Sequence, residues 1–208
     1  MNEPVRRSPL ARIHEGLGAV VDREAGWELV AHYGHESVEG AAVKDAVGLA
    51  DVTARGKIDV RGGIDGALSS AGDALAARIS PEWALVLTEP GGEEVLVPKL
   101  ESAAGSGAMV TDATHLFAGF ALAGPSLPEV LERLTSWDPA SLKPGSATGA
   151  PIADVRAVVV RRDLDVPVLE AYVATEFARY AWEAVLDAVR RTGGAPVGWN
   201  ALRAQGWS

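Results

Sequence analysis

Apolar residues recur along this chain with two different spacings, which predict helices in some segments and strands in others. Spacing of three or four residues indicates a helix with one buried face, and short apolar or alternating runs indicate strands. On this basis we predict helices at 8–17, 36–46, 64–77, 93–103 and 175–192, and a further helix that begins at Ser126. The predicted strands are 49–52, 57–61, 83–88, 116–123, 158–161 and 168–173.

Polar residues at the expected positions mark where three of these helices begin. Ser8 precedes Pro9, which suits the first helical position because its missing amide proton is not needed there. Ser126 and Glu129 have the spacing of a capping box, and Thr175 is placed to cap the last helix. The last helix is predicted to bury one stripe formed by Phe177, Ala181, Val185 and Val189.

The order of elements repeats between the two parts of the chain. GKIDVRGGIDGAL and FAGFALAGPSLPEVL both read as strand, glycine turn and helix. Each unit alone would leave apolar faces exposed, so two related units packed together are favoured. We predict an α+β fold of two pseudo-symmetric half repeats, about 1–107 and 108–208, in a single compact unit.

Composition and charge restrict the class of protein. The chain has 208 residues, of which 48% are hydrophobic and 23% charged, as in ordinary globular proteins. A net charge of −9 without a basic cluster argues against a nucleic-acid partner. Because no uninterrupted apolar run reaches the length of a membrane span, we expect no membrane partner. The sequence has no cysteine, which favours the reducing cytoplasm.

Several separated motifs stand in the order found in one known family. SPLARIHEGLGAVVDREAGWELVAHYG is followed by ADVTARGKIDVRG, and FALAGPSLPEVLERL, LEAYVATEFARYAWEAVLDA and PVGWNALR come later. In these motifs the chain resembles the glycine cleavage T-protein (aminomethyltransferase)-like folate-binding family. Its short form is similar to the γ subunit of heterotetrameric sarcosine oxidase. The resemblance implies the T-protein fold and tetrahydrofolate as the cofactor.

The resemblance also implies a set of folate-binding residues. Glu170 stands where the family presents a glutamate to the pterin ring, and Arg203 stands near an arginine that contacts folate. Trp27 and Tyr33 belong to the opening motifs, and Trp199 lies where relatives build the wall of the folate site. The alternatives are a solvent-facing strand position for Glu170 and core packing for the aromatic residues. We assign no catalytic residue.

Two departures from the family pattern bear on function. Full-length T-proteins have a Gly-Gly-x-x-Asp-Asp motif before the strand that corresponds to 83–88, and its acid engages the folate. Asp65 and Asp73 lie in this interval without matching the motif. The sequence also stops where the family continues into a C-terminal barrel. We therefore expect a fold with the C-terminal barrel absent, and another protein chain that supplies the missing acid and barrel.

Two further groups of residues have chemistry of interest. Arg55, Lys57 and Arg61 alternate along a predicted strand, so we expect a solvated basic face, with binding of a folate glutamate tail as the alternative. His32 and His35 have a spacing that can bring two imidazoles together. No third ligand accompanies them, so we expect no metal site.

These observations together predict a role in one-carbon metabolism. The resemblance implies a tetrahydrofolate-linked component of aminomethyl or methyl transfer, within a multi-chain demethylating system. The alternative is a non-catalytic structural subunit of a heteromeric sarcosine oxidase-like flavoenzyme. Whether the chain is itself catalytic stays open at this point.

Overall fold

The computed structural model describes residues 4–105, 107–162 and 164–207, over which strands and helices alternate. The strands are β1 (Val20–Glu24), β2 (Trp27–His32), β3 (Gly48–Asp51), β4 (Gly56–Arg61), β5 (Leu75–Ser80), β6 (Trp83–Thr88), β7 (Met109–Asp112), β8 (Phe117–Ala123), β9 (Ala147–Ile152), β10 (Val155–Arg162), β11 (Val168–Ala174) and β12 (Ala195–Pro196). The helices are α1 (Ala11–Gly16), α2 (Glu36–Asp45), α3 (Ile64–Ser69), α4 (Gly92–Ala104), α5 (Leu127–Leu134), α6 (Ala178–Arg191) and α7 (Trp199–Arg203).

The strands form two larger sheets and one hairpin. The six-stranded sheet has the order β12-β3-β8-β11-β10-β9, and the four-stranded sheet has the order β5-β6-β4-β7. Strands β1 and β2 pair as a separate hairpin. Apart from the short parallel pairing of β12 with β3, the described strand pairs are antiparallel. The α+β class predicted from the sequence is confirmed.

The alternation along β11 explains how the sheets are layered. Leu169, Ala171 and Val173 face the core that the six-stranded sheet shares with α5 and α6. Successive strand residues point to opposite faces, so Glu170 and Tyr172 point the other way. Tyr172 accordingly packs in the core between the two sheets. Glu170 therefore belongs to the inner face of a central strand rather than to the solvent.

Two further apolar clusters cover the two faces of the four-stranded sheet. Between the sheets, Leu85 and Leu87 of β6 pack with Val158 and Val160 of β10. The other face of the four-stranded sheet is covered by α3 and α4. Their buried side chains include Ile64 and Ala67 of α3 and Leu96 and Leu100 of α4. The resulting order of layers is helices, sheet, sheet, helices. The site described below lies where the two sheets meet.

The predicted helix at 64–77 is wrong in its second half. Helix α3 ends at Ser69, and the strand β5 follows after Gly72, which has a φ of +62°. Leu75 and Ala76 pair with Leu87 and Val86 of β6. Pairing with a strand distant from the helix overrode the local helical preference, which is a weak constraint.

Three details of the predicted helix ends also differ. Ser126 is the N-cap residue of α5, but its side chain makes no capping hydrogen bond. Helix α6 begins at Ala178 rather than at Thr175, whose hydroxyl donates to the carbonyl of His115 instead. Phe177 is 46% exposed and lies outside the buried stripe. The capping box and the first member of the stripe are therefore corrected.

The proposed half repeats are interleaved in the structure. Strand β3, from the first half, pairs with β8 in the six-stranded sheet, and β7, from the second half, pairs with β4 in the four-stranded sheet. The division at about residue 107 stays a prediction. Within the ranges that the structure describes, no helix has the length and apolar character needed to cross a membrane.

Candidate functional site

A cleft of about 470 Å³ opens where the two sheets meet. This volume lies within the range of about 300–1,000 Å³ that is usual for small-molecule sites. Arg55 and Arg162 contribute two guanidinium groups to its wall, Asp73 and Glu89 contribute carboxylates, and the remaining lining residues are Ala74, Leu75, Ala76, Leu87 and Thr88. The cleft is therefore apolar in part, with both signs of charge.

Arg55 links the two sheets at the base of this cleft. It lies between β3 of the six-stranded sheet and β4 of the four-stranded sheet. Its Nη1 donates to Oε1 of Glu170 on β11 at 3.1 Å, and its Nε donates to the carbonyl of Thr88 on β6 at 3.3 Å. The buried guanidinium thereby fixes the end of β6 against the centre of the other sheet.

The carboxylate of Glu170 is surrounded by donors and is 0% exposed. Besides Arg55, its Oε1 accepts from Nη1 of Arg162 at 2.8 Å and from Nε1 of Trp207 at 2.7 Å. The hydroxyl of Tyr172 donates to Oε2 at 2.5 Å. A carboxylate offers about four acceptor positions, so this one is saturated by groups of its own chain.

The charges around Glu170 determine its ionisation. Burial alone would raise the pKa of the Glu170 carboxyl, but the charges of Arg55 and Arg162 and the hydrogen bonds from Tyr172 and Trp207 outweigh it. The net effect is a pKa below the ordinary value of 4.5. Burial is the main cause that raises the pKa of the Tyr172 hydroxyl well above 10.0, and the negative charge of Glu170 is the second cause. Glu170 is therefore an anion at neutral pH, and Tyr172 remains a donor.

Lys57 holds the loop that presents Arg55. Its ammonium is 0% exposed and donates to the carbonyls of Thr53 and Arg55 at 2.6 and 2.7 Å. Burial lowers the pKa of Lys57 to about 7, opposed by the charges of Asp51 and Glu93. The expected solvated basic face is therefore wrong for Arg55 and Lys57, which are buried, and holds for the exposed Arg61.

A second polar network lies beside this loop. Oδ2 of Asp51 accepts from the Ser8 hydroxyl at 2.5 Å and lies 2.8 Å from Nε2 of His14. Nδ1 of His14 in turn lies 2.8 Å from the Tyr33 hydroxyl. A small cavity of about 30 Å³ adjoins Ser8, His14 and Asp51. Such a volume admits a water molecule but no organic ligand.

Trp27 and Tyr33 are placed away from the cleft-lining residues. Trp27 is buried, stacks on His115 with ring centroids 5.4 Å apart, and has Arg6 6.0 Å from its ring centroid. Tyr33 belongs to the His14 network. Neither residue lines the cleft. Their contacts are those of packing residues, and a folate-binding role for them stays a prediction.

Trp199 and Arg203 are nearer to Glu170. Trp199 is buried, donates from Nε1 to the carbonyl of Asp51 at 2.8 Å, and contacts Trp207 edge-on at a centroid distance of 5.0 Å. Arg203 is partly exposed, pairs with Glu24 at 2.9 Å and lies 3.7 Å from Glu89 of the cleft wall. Of the residues selected from the sequence, Glu170, Trp199 and Arg203 thus surround one region.

Arg162, Trp207 and Asp73 are among the residues of the site that were not selected from the sequence, and their sequence signals are weak. Arg162 follows a run of valines at the end of a predicted strand, where a solvated end is the ordinary expectation. Trp207 lies outside any predicted element, and Asp73 lies in the segment predicted as helix. Over the described residues, no group of three or more histidine, aspartate or glutamate side chains could hold a metal ion.

Comparison with known proteins identifies the family to which this architecture belongs. The model of the family described as "GCVT N-terminal domain" matches residues 69–205, well over half of the chain. The chain belongs to this family. An aminomethyltransferase of Streptomyces avermitilis is 28% identical over 226 residues, covering 93% of this chain and 58% of the relative. An aminomethyltransferase of Geobacillus kaustophilus is 29% identical, and the match covers 95% of this chain and 62% of the relative.

Solved structures give the same fold. Aminomethyltransferase T of the glycine cleavage system from Bartonella henselae superimposes with a TM-score of 0.79 at 19% identity, over 97% of this chain and 62% of that one. A chain of heterotetrameric sarcosine oxidase from Corynebacterium sp. U-96 superimposes with a TM-score of 0.68 at 18% identity, over 92% of this chain and 98% of the sarcosine oxidase chain. At these identities the likeness shows the fold. The chain spans about three fifths of the curated aminomethyltransferases that it matches.

Proposed function

We propose that the cleft between the two sheets binds tetrahydrofolate and that the chain is a cytoplasmic component of aminomethyl or methyl transfer in a multi-chain demethylating system. The observation behind this proposal is a cleft of ligand size, in a chain of the GCVT N-terminal domain family, whose base is the Arg55–Glu170–Arg162 cluster. The aminomethyltransferases among its relatives support the reaction class.

The residues of the cleft suit the ring end of a folate. Arg162 provides a guanidinium group for an oxygen of the folate, and Leu75 and Leu87 provide apolar contact for its rings. Glu170 is an anionic acceptor for the N–H groups of a pterin. The folate itself would supply the nitrogen atoms that accept the one-carbon unit. The chain's own task is to orient this ligand and to exclude water.

Asp73 is the residue that we propose for the acid of the site, in place of one from a partner. It precedes β5 and lines the same cleft as the two arginines. A carboxylate there can accept a proton from a folate nitrogen. The parts of a transferase that the matched relatives have beyond this region would come from another segment or another chain.

Titration with 5-formyltetrahydrofolate, followed by tryptophan fluorescence and calorimetry, tests the proposal. We expect micromolar binding, weakened at least about 10-fold in Arg162→Gln, because a charge-assisted contact is lost. Arg179→Gln is the matched control, since Arg179 is exposed on α6 and pairs with the exposed Glu183. Absence of binding both to the isolated chain and to its complex with a partner would contradict the proposal.

The saturation of Glu170 favours a second candidate, a non-catalytic subunit of a heteromeric flavoenzyme. Its carboxylate already accepts hydrogen bonds from four side chains of the fold, Arg55, Arg162, Tyr172 and Trp207. The sarcosine oxidase chain of similar length supports this candidate. Co-expression with a sarcosine oxidase-like flavoprotein of the same genome would then give a stoichiometric complex by size-exclusion chromatography, with full oxidase activity retained in Asp73→Asn and Arg162→Gln.

A further inference from the structure

Trp207 donates a hydrogen bond to the carboxylate of Glu170, the group that the proposed function assigns to binding of the ligand. Its indole Nε1 donates to Oε1 of Glu170 at 2.7 Å, and the residue is 2% exposed. The guanidinium carbon of Arg55 lies 5.0 Å from the centroid of the indole ring. Trp199 contacts the ring edge-on at 86°. The indole is thus held by an anion at its edge, a cation on its face and an aromatic wall.

These contacts suit a defined class of ligand. The indole is a planar bicyclic ring with an N–H donor at its edge, and a pterin is a planar bicyclic ring with several such donors. Carboxylates bind donors of this kind in the ring plane, and guanidinium groups lie against aromatic faces. The surroundings of Trp207 are therefore those of a site for a bicyclic N–H-bearing heterocycle, filled by a side chain of the same protein.

The partners of Glu170 differ in how costly they are to displace. Removal of Arg55 or Arg162 would take away one of the two counter-charges of a buried carboxylate. Tyr172 belongs to the central strand β11, and its ring lies over Gly119, where an added Cβ would come within 2.8 Å of it. Trp207 is uncharged and lies beyond α7, where its amide donates to the carbonyl of Leu202 at 3.3 Å. Trp207 is therefore the partner outside the sheet whose release leaves both charges of Arg55 and Arg162 paired with Glu170.

We propose that the indole of Trp207 is an intramolecular competitor for the bicyclic ring of the ligand. It holds Glu170 and Arg55 in place when the ligand is absent, and it leaves Glu170 when a heterocycle with N–H donors binds. This inference rests on the proposed function. It makes Trp207 a determinant of affinity, because the ligand must replace a hydrogen bond that the chain already makes.

Binding of 5-formyltetrahydrofolate to Trp207→Phe and Trp207→Ala tests the competition. Phenylalanine keeps an aromatic ring and loses the N–H, so it separates the hydrogen bond from the packing. We expect at least about 10-fold tighter binding than in the wild type for both variants that fold, as judged by circular dichroism. Glu170→Gln should abolish this gain in the double variant with Trp207→Phe.

Trp83 offers a matched control in the four-stranded sheet. Its Nε1 donates to Oδ1 of Asp59 at 2.7 Å, and the guanidinium carbon of Arg61 lies 4.1 Å from its ring centroid. Trp83→Phe therefore removes the same kind of contact from a different carboxylate, that of Asp59, and should leave the affinity unchanged. A gain in this variant equal to that of Trp207→Phe would overturn the proposal.

The outcomes separate the inference from the proposed function. Equal affinities of the wild type and of both Trp207 variants would overturn the competition and leave folate binding standing. No binding by any of them, either alone or in complex with a partner, would overturn the proposed function, and the competition with it. As a second measurement, the indole N–H resonance that disappears in Trp207→Phe should move and exchange faster at saturating ligand. A resonance that does not change there would contradict displacement of the indole.

Discussion

Nη1 of Arg55 lies 3.1 Å from Oε1 of Glu170, and the two residues are 115 positions apart in the chain. Their side chains are 3% and 0% exposed. Two charges removed from water to this extent are costly unless they are paired, and the pair lies where the two sheets meet. The ion pair is therefore both the base of the candidate cleft and a connection between the sheets.

Removal of the charge of Glu170 should be strongly destabilising. Glu170→Gln keeps the shape of the side chain but leaves Arg55 and Arg162 without their buried counter-charge. We expect the free energy of unfolding to fall by about 3–5 kcal/mol in urea denaturation. Glu183→Gln, which removes an exposed partner of Arg179, should change it by less than about 0.5 kcal/mol. Similar costs for the two variants would argue against the buried pair as a stabilising element.

Asp51 should contribute to the loss of stability in acid. Burial by itself would raise the pKa of this carboxyl, but hydrogen bonds from His14, Ser8 and Thr53 outweigh burial and lower the pKa below 3.8. The unfolded chain then binds the proton more readily, so the contribution is present above pH 3.8 and is lost as the pH falls through the lower, folded pKa.

Asp51→Asn checks this contribution. We expect it to lower the free energy of unfolding by about 1.5–3 kcal/mol at pH 7, because several hydrogen bonds to a charged group are weakened. The difference from the wild type should shrink below about pH 4, as the wild type loses the same contribution. Asp45→Asn, at an exposed end of α2, is the control. If the difference in unfolding free energy between the wild type and Asp51→Asn stayed constant from about pH 2 to about pH 7, Asp51 would not be the group that titrates in acid.

Lys57 should make stability rise with pH above neutrality. Burial lowers its pKa from 10.5 to about 7, so between these values the unfolded chain binds the proton and the folded chain does not. The contribution is complete above pH 10.5 and is lost as the pH falls to about 7. Relative to Lys57→Met, the wild-type free energy of unfolding should gain about 1.4 kcal/mol per pH unit in this window. A parallel pH dependence of the two proteins would show that Lys57 does not titrate there.

Gly198 should not tolerate a side chain. An added Cβ would lie 2.0 Å from the carbonyl oxygen of Ala31, so helix α7 would have to move away from β2. We expect Gly198→Ala to cost about 1–3 kcal/mol in urea denaturation. Gly40→Ala in α2 is the control, because nothing lies within 4 Å of its added Cβ, and it should gain about 0.5–1 kcal/mol. A neutral Gly198→Ala would mean that α7 is free to shift.

Much of the fold could be predicted, and the errors have a common cause. Strands β4, β6, β8 and β11 and helix α2 are close to their predicted positions because their apolar pattern is strong over a short range. Strands β1 and β2 were missed, although the turn at Ala25-Gly26 separates them. These strands, like β5, depend on pairing with a neighbour, which a local pattern does not encode.

The candidate site was predictable only in part. The resemblance pointed to Glu170, and the alternation of β11 could have shown that it faces the interior. Tyr172 is 2 positions away, but the other three donors that surround it are 8, 37 and 115 positions away. Neither spacing nor charge relates Trp207 to Glu170. The set of donors that saturates the Glu170 carboxylate therefore could not be predicted from the sequence.

The sequence by itself determined the α+β class, the family and the choice of Glu170, because apolar periodicity and ordered motifs are local properties of the chain. Only the tertiary structure decided that Lys57 and Arg55 are buried, that Asp73 faces the cleft, and that Trp207 binds the carboxylate of Glu170. The physical reason is that the packing of the two sheets brings distant segments together. Which charges are paired or left for a ligand depends on that packing.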